Sequence, residues 1–137
     1  QALTARLASE SATAFVAVTA NGRFLLRAKA TPIADALRQI PERQRQLDVV
    51  QLHSLILEQL LGISAEAIRD QTHLRYLREA GEAVEQVVRG EANVAFLMNP
   101  VTMNQLREIA FAGEVMPQKS TDFFPKLLSG LAIYALD

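Results

Sequence analysis

Four side chains able to meet an anion crowd into one aperiodic stretch late in the chain: Lys119, Ser120, Thr121 and Lys126. A lysine ammonium is a compact point charge for a phosphate or a carboxylate. The two hydroxyls, with backbone N–H groups if a short helix starts there, would complete an anion cradle. Pro117 and Pro125 fix φ on either side, so the stretch is expected to hold a defined shape. The spacing does not match the nucleotide-binding Gly-x4-Gly-Lys-Ser/Thr loop, so no nucleotide fingerprint is present. Set against this is a plain turn in which Ser120 or Thr121 is a cap and the lysines are solvated.

Two further residues are candidates. His53 stands at helical spacing from Val49, Ile56 and Leu57, at the border of an apolar stripe. Its ordinary pKa of about 6.5 suits proton transfer, and the bland alternative is a half-buried ring bonded to a neighbour. Asn99 closes an apolar strand beside Pro100, and strand C-terminal ends are where α/β folds place ligand groups. It could equally bond only to the turn that follows. His73, Tyr76 and Tyr134 are expected at the surface or in packing, and Phe123 and Phe124 as anchors of the lysine loop. Two distant histidines make a weak metal set, so no metal site is assigned. No Gly-x-Ser-x-Gly elbow is present, which disfavours a hydrolase. Cofactor and catalytic residues stay open.

The elements that must position these residues begin with composition. The chain has 137 residues, half of them hydrophobic and 21% charged, which suits one globular domain over residues 1–137. A formal net charge of -1 argues against a general nucleic-acid binder. Bases dominate residues 1–45 and acids dominate residues 46–115, read as solvated faces of opposite sign. Cysteine is absent, and neither a membrane span nor a signal peptide is visible. These features fit a cytoplasmic protein with no membrane partner. The chain opens on Gln1 rather than Met, so the expectation is the C-terminal domain of a longer protein whose N-terminal part is its partner.

Residues 1–12 are a linker or a short helix. Two β-rich runs, Phe15–Ala20 and Arg23–Lys29, flank Asn21-Gly22, the signature of a type I′ hairpin. In the second run Phe24, Leu26 and Ala28 are expected to face inward. Residues 33–45 are a polar short helix and surface connection around Pro41. Leu47–Leu61 is a long amphipathic helix with Val49, Leu52, Ile56 and Leu60 on one stripe, Asp48 near its start and Gly62 as its stop. Ser64 caps a short helix over 65–71, and Leu74–Arg78 is expected to be a strand. Glu82–Arg89 is a compact helix with Ala83, Val84, Val87 and Val88 on one face. Asn93–Met98 is a strand covered on both sides. Thr102 and Gln105 form a capping box for the next helix, which presents Leu106, Ile109 and Ala110 inward and ends at Gly113. Gly130–Leu136 is a last strand. The sum is an α/β (or α+β) fold: a mixed sheet of about five strands, an N-terminal β-hairpin, and helices packed on the sheet.

Several local runs together carry a resemblance: Leu52-His-Ser-Leu-Ile-Leu57, Arg75-Tyr76, Gly90-Glu-Ala92, Ala95-Phe-Leu-Met-Asn-Pro100, Val115-Met-Pro-Gln-Lys-Ser-Thr121 and Phe124-Pro-Lys126. From about Leu47 to Leu136 the chain resembles the C-terminal half of the conserved bacterial and archaeal family catalogued as domain of unknown function ten-fifteen. The resemblance implies a longer protein with an N-terminal part loosely similar to the ParB superfamily, which holds DNA-binding partition proteins and free-serine kinases. It also implies serine or phosphoserine chemistry. Asp122 stands where the family is expected to carry an aromatic residue. The expected function is therefore binding of a small phosphorylated or carboxylated metabolite through Lys119–Thr121 and Lys126, within an enzyme of serine-related phosphoryl transfer. The alternative is a non-catalytic module for interaction, including assembly with copies of itself.

Overall fold

A computed structural model describes residues 2–10, 12–28, 36–118 and 120–121. The helix α1 (Ala2–Ala8) leads into β1 (Ala14–Thr19) and β2 (Gly22–Arg27). Then follow α2 (Glu42–Arg45), α3 (Asp48–Gln51) running straight into a π-helix (Leu52–Leu60), and α4 (Ala65–Arg69). Last come α5 (Ala80–Val88), β3 (Val94–Leu97) and α6 (Met103–Phe111).

The sheet has three described strands in the order β2-β1-β3, and both pairings are antiparallel. Five strands in a mixed sheet were expected, and two of the five account for the difference. Leu74–Arg78 is not a strand; Leu74 packs under the π-helix instead, so its apolar residue is used for packing rather than for a ladder. The stretch 130–136 lies outside the described residues. Because β2 and β3 flank β1 and oppose it, they run parallel to one another, joined by the helical middle of the chain.

β1 is the keystone because five consecutive residues, Ala14–Val18, are buried. Alternation sends Ala14, Val16 and Val18 to one face, where Leu7 of α1 and Val84 and Val87 of α5 cover them. Phe15 goes to the other face, under Leu52, Ile56 and Leu57 of the π-helix and Ile68 of α4. Each fully buried Val, Leu, Ile or Phe side chain contributes roughly 1.5–3 kcal/mol, so β1 ties both layers together. A third cluster, Leu47, Val49, Val50 and Ile109, joins α3 to α6.

The edge strands differ from expectation. On β2 it is Leu25 that packs on the core, while Phe24 and Leu26 are 52% and 37% exposed. They share the face of Phe15, since Phe15 pairs Leu26 and Ala17 pairs Phe24. The helical layer there covers β1 and β3, leaving the outer strand open. β3 is half-buried along its length rather than covered on both sides, and among the described strands it too lies at an edge. The β1–β2 turn is not type I′ centred on Asn21-Gly22: Thr19 pairs Gly22, so Ala20 and Asn21 form the loop, and neither has positive φ. The Thr19 hydroxyl holds the turn instead, accepting from the Asn21 N–H at 3.2 Å and donating to the Gly22 carbonyl at 3.3 Å.

The local helix signals have simple structural counterparts. Ser64 Oγ accepts from the Ala67 N–H at 3.2 Å, and Thr102 with Gln105 forms a reciprocal capping box. Gly62 and Gly113 end their helices at φ of 67° and 73°, a left-handed conformation that side chains resist. The long helix has the expected extent, but its last nine residues wind as a π-helix. Leu60 and Val88, expected to face inward, are 77% and 78% exposed, and Ala110 is exposed too. In the connection around Pro41, Leu37 is fully buried. Among the described residues no helix is long and apolar enough to cross a membrane.

Candidate polar cavity at the Asp48–Asn99 end of the sheet

The register that pairs Val16 with Leu97 brings the start of β1 and the end of β3 to the same edge of the fold. Thr13 and Asn99 therefore meet there. Leu47, fully buried, aims the start of α3 at the same point, and Asp48 is the first residue of that helix. The Asp48 carboxylate stands close to Thr13 and Asn99. Burial pushes its pKa up, against the lowering effect of the Thr13 hydroxyl and the Asn99 backbone N–H nearby.

A cavity of about 530 Å³ opens at this junction, lined by Glu10, Thr13, Asp48, Gln51, Asn99 and Thr102 among others. Gln51 is 7% exposed and belongs to the same helical turn as Asp48. Its Nε2 donates to the Arg45 carbonyl at 2.8 Å, which fixes the orientation of the amide. Its Oε1 is buried with no partner. Glu10 is held by Arg27 through two bonds of 2.8 and 2.7 Å, and that guanidinium draws its carboxyl below the usual range.

Of the residues expected to form a site, Asn99 lies in this cavity. Its Nδ2 donates to the Leu7 carbonyl at 3.2 Å, across to α1, so the side chain does more than brace its own turn. His53 lies elsewhere, on the π-helix, where Nε2 stands 3.0 Å from the Tyr76 hydroxyl and the rings meet edge to face. Burial lowers the His53 pKa and raises that of Tyr76, so both groups favour their neutral forms. Ser120 closes a turn: its hydroxyl donates to the Pro117 carbonyl at 2.6 Å. Thr121 is exposed, and Lys119 and Lys126 lie outside the described residues. Among the described residues no group of three His, Asp or Glu could hold a metal ion.

No sequence pattern singles out Thr13, and Asp48 is marked in the sequence only by its place near a helix start. One signal was available: Gln51 is the single polar residue in Val49-Val-Gln-Leu52, where the helix is otherwise apolar. Compared with known proteins, the chain matches no family model, no curated protein and no solved structure.

Proposed function

We propose that this domain binds a small polar metabolite in the cavity at Asp48 and Asn99. The observation that carries the reading is a half-buried carboxylate in a cavity whose described lining includes no basic side chain, on the same helical turn as Gln51 with its unpartnered buried carbonyl oxygen. Buried polar groups of soluble domains are normally satisfied, so an unsatisfied one next to a polar cavity supports a binding site there. The lysine loop extends the proposal: Lys119, Ser120, Thr121 and Lys126 would take a carboxylate or phosphoryl group of the same metabolite. What supports this is the anchoring of the segment that enters the loop. Gln44 Nε2 donates to the Val115 carbonyl at 3.3 Å, and Met116 packs on the Leu47–Ile109 cluster beside α3. The resemblance to the domain of unknown function ten-fifteen supports the widest form, a parent enzyme transferring phosphoryl groups to a serine-like substrate.

Thermal melting with phosphate, phosphoserine, serine and simple amines tests the reading. A ligand at a hundred times its dissociation constant adds about 2.7 kcal/mol of stability. A rise in Tm that Asp48→Ala abolishes is expected; a rise abolished by Lys119→Ala/Lys126→Ala alone would move the site to the loop. No rise with any compound sinks the reading.

A second reading, an interaction module, is favoured by the exposure of Phe24 and Leu26 side by side on the outer strand. Sedimentation of the wild type and of Phe24→Ser/Leu26→Ser tests it: a self-associating wild type and a monomeric variant are what it requires.

A further inference from the structure

We infer that β2, the outer strand of the described sheet, accepts an extended peptide strand with acidic residues on one face and apolar residues on the other. Such a partner is not a second copy of the chain, though it uses the same exposed Phe24 and Leu26 as the interaction reading. Backbone geometry comes first. The Ala28 N–H donates to the Thr13 carbonyl at 3.1 Å, one step beyond the rung between Ala14 and Arg27. Alternation along an antiparallel pair then turns the N–H and C=O groups of Phe24 and Leu26 toward β1, and those of Arg23, Leu25 and Arg27 outward. Among the described strands none lies beyond β2. An edge of this kind is a template for one more strand.

Side chains decide which strand fits. Phe24 and Leu26, 52% and 37% exposed, stand on one face, where apolar cross-strand neighbours would cover them. The opposite face carries exposed Arg23 and Arg27 on either side of Leu25. Arg27 is bonded to Glu10, whose carboxyl also feels Arg6 of α1. Arg23 makes no ion pair among the described residues. Two arginines share one carboxylate and a third has none, so positive charge is in surplus along this edge and suits an acidic partner. A second copy of β2 fits poorly. In the antiparallel register that uses all three outward residues, its Arg27 would face Arg23, and like charges directly opposite destabilise a pair. The complementary pattern is Glu-Val-Thr-Val-Glu: carboxylates opposite Arg23 and Arg27, valines beside Phe24 and Leu26, and the central residue opposite Leu25.

Titration of the full 15N-labelled chain with acetyl-Ser-Glu-Val-Thr-Val-Glu-Ser-amide, to about 2 mM, tests the inference. The amides of Arg23, Leu25 and Arg27 are expected to shift saturably and to gain protection from hydrogen exchange. A peptide with Lys for both Glu and a peptide N-methylated at the central Thr should each bind about tenfold more weakly, one losing the charges and the other the hydrogen bond to Leu25. Arg23→Glu should weaken the acidic peptide by about the same factor, with Leu26→Ser as a second variant should the first misfold. Equal binding of all three peptides overturns strand addition. Silence of the three amides in a chain that sediments as a dimer through Phe24 and Leu26 gives the edge to a second copy, overturning the acidic partner and leaving the interaction reading standing. Silence in a monomeric chain overturns both.

Discussion

The Tyr76 hydroxyl and His53 Nε2 lie 3.0 Å apart, linking an irregular segment to the π-helix. A half-buried neutral imidazole with its proton on Nδ1 accepts the phenol O–H at Nε2, and protonation would turn both groups into donors.

Stability should therefore fall in acid. Because burial lowers the His53 pKa, the folded chain binds fewer protons than the unfolded one, and the stabilisation present above about pH 6.5 is lost as pH falls below it. Melting curves between pH 7.5 and 5 are expected to show this slope in the wild type and a shallower one in His53→Gln. Tyr76→Phe should cost about 0.5–1.5 kcal/mol at pH 7.5.

Asp48 has the opposite sign. Its raised pKa means that the folded state holds the proton more readily than the unfolded chain, so stability gains as pH falls through the raised value, and the ionised form costs stability at neutral pH. Asp48→Asn is expected to melt higher than the wild type at pH 7, with the gap narrowing near pH 4. A lower melting temperature at pH 7 would show the carboxylate to be a structural brace.

The two long-helix leucines should separate sharply. Leu47 is fully buried between α3 and α6, and its replacement by Ala should cost about 2–5 kcal/mol in urea denaturation. Leu60→Ala should stay within about 0.5 kcal/mol.

Thr102 begins α6 with its side chain on the Gln105 N–H and the Gln105 side chain on its own N–H. Thr102→Ala should cost about 0.5–2 kcal/mol, and Thr102→Ser much less. The same urea curves measure both.

How much of this was legible depended on distance along the chain. The Thr102–Gln105 box, the Ser64 cap and the stops at Gly62 and Gly113 are settled within a few residues, and sequence shows them. Leu74–Arg78 has strand composition, but a strand requires a neighbour, and that is a property of the whole fold. Phe24 and Leu26 alternate correctly, yet which strand becomes the open edge depends on where the helices settle. The π-winding of Leu52–Leu60 is hidden because apolar residues four and five apart suit either helix. The cavity was least legible of all, since Thr13, Asp48 and Asn99 meet only through the β1–β3 register.

That register also has a kinetic side. β1 and β2 meet across a two-residue turn, and hairpins of this kind close in about 1–10 μs. The pairing of Val16 with Leu97 must instead wait while the whole helical middle of the chain is drawn in, and such distant contacts slow folding. The same late contact assembles the cavity. A chain caught with β3 undocked would keep its hairpin but present neither Asn99 nor a settled Asp48, so the cavity should form at the last step of refolding rather than the first.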